Sequence, residues 1–208
     1  MTPEQIRKVT SDALKVLRAG GLILYPTDTV WGIGCDATNP EAVAKVYAMK
    51  RRSDSKSLVM MAADMDMVAR YIKVIPPIAI DLVEVNDRPM TIIYPDAIAG
   101  EKPADGSLGQ GDRYHLAYNA VAADGSVGMR IPMMDFCKDL CARLGRPLIS
   151  TSANISGEPT PKKFGDISQE IRDAVDYIVS PSIDKESTGK SSQIIKIAVD
   201  GQIEIIRA

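Results

Sequence analysis

The 208-residue chain carries one histidine, three cysteines and two phenylalanines, and its 27 acidic and 25 basic residues nearly cancel. Each scarcity excludes something. A lone His115 beside Cys35, Cys137 and Cys141, without CxxC spacing, supplies too few soft ligands for a zinc site and reads as free thiols in a reducing cytosol. A formal charge of −2 argues against an affinity that rests on coating a nucleic-acid backbone, while leaving room for a local basic patch. No apolar run approaches the ~18 residues of a membrane span. The opening MTPEQIRKVT lacks an apolar core of signal-peptide length, so the expected location is cytoplasmic, with no membrane partner. Three familiar signatures are also missing: the Walker loop GxxxxGKS/T, the dinucleotide fingerprint GxGxxG and the GxSxG elbow. A nucleotide site here has to rest on a less common loop chemistry.

What is present alternates strand and helix signals. Thr2, Pro3 and Gln5 read as a capped helix start with the apolar stripe Ile6, Val9, Ala13 and Val16 or Leu17, closed by Gly20 and Gly21. Residues 22–25 read as a buried strand, 26–29 as a turn and 31–35 as a second extended piece. Asn39 and Pro40 open a helix through Ala42, Val43, Val46 and Tyr47 that ends near Lys50, Arg51 and Arg52. A strand is expected over 58–62, a helix from Asp64 through Val68 and Ile72, a helix over 77–85, strands over 90–94 and 126–131, and a helix over 134–144. The C-terminal 194–199 and 203–206 alternate like a hairpin turned by Asp200 and Gly201. The interleaving predicts an α/β fold with a twisted mixed sheet flanked by helices. Residues 96–125, rich in Gly, Ala and Asp, resist assignment and read as an irregular surface insertion or lid.

Three clusters bear chemistry. In PLISTSANISGEPTP, residues 147–161, a short buried strand runs into a polar loop whose hydroxyls and backbone N–H groups suit an anion such as a triphosphate. In YPTDTVWGIGCDA, residues 25–37, small residues let backbone approach a ligand. Taken alone, however, the segment favours a tight connection between strands with Asp28 as a cap. Lys50, Arg52 and Lys56 either match a helix dipole or grip phosphates. Arg130, ending the apolar SVGMRIP, needs a carboxylate, because an unpaired buried cation is costly. That carboxylate is either a substrate's or an internal Asp.

These pieces, with KRRSDSKSL, TIIYP, KSSQIIKI and a final IIRA, run in order along nearly the whole chain. In this the chain resembles the YrdC-like family of L-threonylcarbamoyladenylate synthases. The resemblance implies a YrdC-like fold with a concave, positively charged cavity, as a single catalytic domain over 1–208. It implies a reaction joining L-threonine, bicarbonate and ATP into threonylcarbamoyl-AMP and pyrophosphate, with magnesium, for downstream tRNA-modification proteins. Position by position, it implies Thr29, Arg130, Ser150 and Ser191 around threonine. It also implies Lys50 and Arg52 as catalytic cations, and Arg52, Lys56, Ser126, Ser152, Asn154, Thr160 and Arg207 around ATP, with no metal-ligating residue. Ser53 stands where relatives usually carry proline, and Met61 where some carry histidine. The rival reading is a double-stranded-RNA-binding or ribosome-assembly module with weak RNA affinity, against which the charge balance speaks.

Overall fold

A computed structural model of the chain describes residues 1–51, 58–184 and 187–208. The N-terminal helix α1, Pro3–Arg18, starts as its sequence dictates: the Thr2 hydroxyl accepts from Gln5 N, and Gln5 returns its side-chain oxygen to Thr2 N at 2.8 Å. Its buried face, Thr10, Ala13, Leu14 and Leu17, packs on α5, Asp135–Leu144, whose inner face is Phe136, Cys137, Leu140, Cys141 and Leu144. Each fully buried large apolar side chain of this kind contributes roughly 1.5–3 kcal/mol. Asn39 caps α2, Pro40–Met49, by accepting from Glu41 N and Ala42 N, and Asp64 caps α3, Met65–Ala69. The α3 helix stops short of the expected Ile72, because Ile72 leaves it to form a bridge with Ala97. The α4 helix, Pro77–Val85, falls where expected.

The strands form two hydrogen-bonded sheets in place of the single sheet that the sequence predicts. One has four strands in the order β7-β2-β1-β8: β1 is Ile23–Tyr25, β2 Gly32–Gly34, β7 Thr151–Ser152 and β8 Tyr177–Ile178. The other has six, in the order β10-β9-β4-β5-β3-β6. There, β3 is Met60–Met61, β4 Met90–Tyr94, β5 Val127–Arg130, β6 Leu148–Ile149, β9 Gln193–Ile197 and β10 Ile203–Arg207. Both sheets mix parallel and antiparallel pairs. The chain crosses from the larger sheet to the smaller at Ser150, whose N–H donates to Val59 O. Thr151 and Ser152, read as loop, instead extend the small sheet by pairing with Ile33 and Gly32.

Two elements have no counterpart in the sequence reading: β8 and the short helix α6, Gln169–Asp173. The β8 strand joins β1 in parallel, latched by Asp176, whose carboxylate accepts from Leu22 N at 2.7 Å. The following turn closes over Trp31, whose indole N–H donates to Asp184 at 2.6 Å and whose ring meets Phe164 at 4.9 Å.

Residues 96–125 are tethered rather than loose. Ala99 bridges to Leu116, Ala117 N donates to Ala37 O, and the Tyr71 hydroxyl donates to Arg113 O. Gly111 lies so close to the Thr38 carbonyl that a Cβ there would come within 1.7 Å of it, an approach only glycine permits.

Candidate functional site

Side chains alternate across a sheet with period two. On β4 and β5 that alternation sends Ile92 and Met129 into the core and turns Thr91, Ile93, Gly128 and Arg130 toward a cavity of about 320 Å³. The cavity opens at the seam of the two sheets. The β1–β2 connection adds Thr27, Thr29 and Val30, and the crossing segment adds Ser150, Thr151 and Ser152. The start of β9 adds Ser191, Ser192 and Ile194, and the end of β10 adds Ile206 and Arg207. Thr29, Arg130, Ser150, Ser152, Ser191 and Arg207, separated by up to 178 positions of sequence, therefore share one wall system. No residue of 96–125 lines it.

Arg130 finds its carboxylate inside the protein. Its Nη1 donates to Asp28 Oδ1 at 2.7 Å, both side chains being at most 5% exposed, and Asp28 Oδ2 accepts from Met133 N at 3.0 Å. Asp28 thus ties the β1–β2 connection to the end of β5 rather than capping its own turn. Arg130 Nη2 also donates to Thr29 Oγ1 at 3.3 Å. A guanidinium carries five N–H donors in a fixed fork, so Arg130 can hold Asp28 and still face an anion in the cavity.

The hydroxyl polarity follows from proton counting. Thr27 Oγ1 spends its only proton on Val30 O at 2.7 Å, so in the 2.8 Å contact between Thr27 and Thr29 the donor is Thr29. The Thr29 oxygen then offers a lone pair to the cavity, which suits a ligand ammonium or hydroxyl. On the opposite wall, Arg207 Nε and Nη2 both donate to Ser192 O, at 2.9 and 2.7 Å, and the Ser192 and Thr91 hydroxyls meet at 2.8 Å. Partial burial draws the Arg207 guanidinium below its usual value. Thr91 escaped the sequence reading. Its signal was a lone hydroxyl at the inward-facing position of an otherwise apolar strand.

The other expected residues stand elsewhere. Lys50 is buried at the C-terminus of α2, and its Nζ donates to Ser152 O at 2.6 Å and Asn154 O at 2.7 Å. It braces the polar loop from behind. Asn154 turns its amide onto the carbonyls of Ile155 and Glu158 and accepts from Ser152 Oγ at 2.6 Å, while Thr160 is exposed. Met61 is fully buried in β3, opposite Arg130 in the ladder. Arg52 and Lys56 lie outside the described residues.

Ser126, just before β5, donates to Asp124 Oδ1 at 2.6 Å. Hydrogen bonds from the Ser126 side chain and backbone, and then Lys196, hold the Asp124 carboxyl down at about 2, against an ordinary 3.8. A depressed carboxylate stabilises the fold above its unfolded pKa and loses that contribution as pH falls through the folded one. Asp124→Asn should therefore flatten the loss of stability between pH 3.8 and about 2 in acid-unfolding curves. The flattening should be slight, since the Asp124 side chain is 56% exposed and solvent screens it. Curves of equal slope for parent and variant would show that the carboxylate is not held.

Two of the thiols, Cys35 and Cys141, are chemically quiet. Burial pushes Cys141 up to about 12, partly offset by Arg130, and raises Cys35 as well, so both stay protonated and unreactive near neutrality. Among the described residues no group of three or more His, Cys, Asp and Glu side chains is placed to hold a metal ion, and no helix is long and apolar enough to cross a membrane. The site is one for binding and charge placement, with an arginine at each side and hydroxyls between.

The chain is similar to several known proteins. The threonylcarbamoyl-AMP synthase of Stenotrophomonas maltophilia is 30% identical over 201 residues, covering 95% of this chain and 98% of that protein. The threonylcarbamoyl-AMP synthase of Chromohalobacter salexigens is 32% identical over 166 residues, 79% and 81% of the two chains. Among solved structures, P. abyssi Sua5 complexed with L-threonine superposes with a TM-score of 0.74 at 24% identity, over 92% of this chain. The match spans about half of that longer protein, 51%. E. coli YciO gives 0.71 at 22% identity, over 97% of this chain and 89% of its own. These two superpositions establish the fold. The family model Sua5_yciO_yrdC, described as telomere recombination, matches residues 15–208, and over that span the chain belongs to the Sua5/YciO/YrdC family.

Proposed function

We propose that the chain is an L-threonylcarbamoyladenylate synthase, making threonylcarbamoyl-AMP, pyrophosphate and water from L-threonine, bicarbonate and ATP. The observation that carries the reading is the cavity at the sheet seam. It combines one guanidinium held by Asp28, another held by Ser192, and a row of hydroxyls between them. An amino acid and a nucleotide tail are both anionic at one end, and two separated cations with hydroxyls between them can seat both. The Stenotrophomonas relative that bears the same activity in its name matches nearly end to end.

In this reading the free edge of Arg130 faces the threonine carboxylate, with Ser150 and Ser191 beside it, and Thr29 Oγ1 accepts from the substrate ammonium or hydroxyl. The amine nitrogen bonds to the bicarbonate carbon and water leaves. A carbamate oxygen then bonds to the α-phosphorus as the bond to pyrophosphate breaks. Free carbamates lose carbon dioxide, so holding the intermediate between the cavity walls, away from bulk water, protects it. Holding the carbamate against the phosphorus replaces a bimolecular encounter. Negative charge spreading over the phosphate oxygens is met by Arg207 and by the cations Arg52 and Lys56. Ser152 lies on the nucleotide side of the cavity, and Lys50 holds the loop that carries Ser152 and Asn154; Ser126, Asn154 and Thr160 are assigned to ATP by the family resemblance alone.

In this reading magnesium enters as part of the substrate, coordinated to the triphosphate. Asp28, beside Thr29 of the cavity wall, is committed to Arg130 and Met133 N. The product is a reactive mixed anhydride, and tRNA-modification proteins consume it by acyl transfer. Pyrophosphate release from purified protein, assayed with each substrate omitted in turn, tests the reading. Release should need threonine, bicarbonate and ATP together, and release indifferent to threonine would refute it.

A further inference from the structure

Beneath the cavity floor lies a hydroxyl with nothing to bond. Tyr25 ends β1 opposite Gly32 and is completely buried, and its phenolic oxygen has no hydrogen-bond partner. Orphaned buried polar atoms are rare and costly enough to call for a reason. The ring lies across the two glycines of β2. A Cβ on Gly34 would come within 2.7 Å of Tyr25 Cε1. One on Gly32 would lie 3.5 Å from both that ring carbon and Ser150 Oγ. Gly34 is thus the space that the tyrosine needs, while a side chain at Gly32 would meet the ring only at ordinary contact distance. Through that space, the ring reaches the point where Ser150 enters the cavity wall.

We propose that Tyr25 is a positioning residue: its hydroxyl donates to Ser150 Oγ when ligand fills the cavity, which leaves the Ser150 proton aimed at the ligand. An O–H that accepts one hydrogen bond and donates another is fixed in rotation, whereas a hydroxyl with no donor behind it can turn its proton away. Burial raises the phenol far above its usual range, and the neighbouring Ser150 opposes the rise. Tyr25 is therefore a neutral donor and never a base. The inference rests on the reading of Ser150 as an amino-acid contact and adds to it the group that sets the serine's direction.

Tyr25→Phe removes the oxygen and keeps the ring, and three measurements decide the matter. Pyrophosphate release should show KM for threonine raised about three- to tenfold, with kcat and the KM for ATP within about twofold of the parent. The melting temperature should stay level or rise, since an unsatisfied buried hydroxyl contributes nothing to the fold. Calorimetric binding of L-threonine should weaken by the same factor. The double variant Tyr25→Phe/Ser150→Ala should bind no worse than Ser150→Ala alone, because the two groups act as one unit. Unchanged threonine affinity, additive losses in the double variant, or a melting temperature several degrees lower would overturn the proposal. A parent protein that neither binds threonine nor needs it for turnover defeats the functional reading together with this inference. A normal parent beside an indistinguishable Tyr25→Phe defeats the inference alone.

Discussion

Asp28→Ala is expected to cost about 3–5 kcal/mol of folding stability, because it strands the Arg130 guanidinium as a buried, unpaired cation. The aspartate serves two masters at once: it pairs with Arg130 at 2.7 Å and accepts from Met133 N at 3.0 Å. Its loss also frees the part-buried N–H of Met133. For a chain of this size each kcal/mol lowers the melting point by roughly 2–4 °C, so differential scanning calorimetry should find a large drop. The companion variant Asp28→Ala/Arg130→Met should recover much of it, since a buried pair replaced by apolar side chains is often neutral. Equal melting points for the single and double variants would mean that the charge pairing is unimportant. At temperatures where Asp28→Ala still folds, threonine should bind more weakly, because the fork of Arg130 is no longer held in place.

Lys50→Ala should impair both the fold and turnover. The ammonium sits between the carbonyls of Ser152 and Asn154, while its own carbonyl accepts from Ser156 N at 3.0 Å. One residue thereby fastens the serine loop to the end of α2. Hydrogen bonds from a charged donor contribute about 1.5–3 kcal/mol each, so removing the side chain and its two bonds should lower stability by roughly 3–6 kcal/mol and release Ser152 from its place. Lys50→Arg should not restore either property, since a planar fork does not replace a compact ammonium between two carbonyls. The outcome separates two roles. A lysine that only touches phosphate would leave the melting point unchanged when removed, and that result would refute the brace.

Parts of the fold were legible because their signals are local. Thr2 with Gln5, Asn39 with Pro40, and Asp64 each mark a helix start within four residues, and all three caps form. The hairpin of β9 and β10 follows from its alternation and the Asp200-Gly201 turn, with a register shift near Ile205 that no pattern announced. The β8 strand was not legible: two residues, Tyr177 and Ile178, have no period to read, and they become a strand only because β1 lies alongside. The end of α3 was missed for a related reason, the competing bridge from Ile72 to Ala97.

The site divides in the same way. Hydroxyls, glycines and cations were conspicuous in the motifs, and the resemblance they carry extends along the chain in order. The partner of Arg130 could be narrowed by desolvation cost to a carboxylate, yet Asp28 lies 102 positions away, and only packing brings it within reach. Lys50 shows the converse. Its charge read either as a match to the helix dipole or as a grip on phosphate, and the fold places it, buried, on the carbonyls of Ser152 and Asn154.

By itself the sequence determined which segments could be strand or helix, which side chains could carry charge or donate a proton, and the family to which their order points. Tertiary structure alone decided that the strands divide into two sheets, and that Ser150 stands at their seam. It also decided which charges face inward to one another and which face the cavity. The reason is physical: propensity and capping act over a few residues, whereas desolvation and hydrogen-bond pairing act on groups that become neighbours only when the chain has closed.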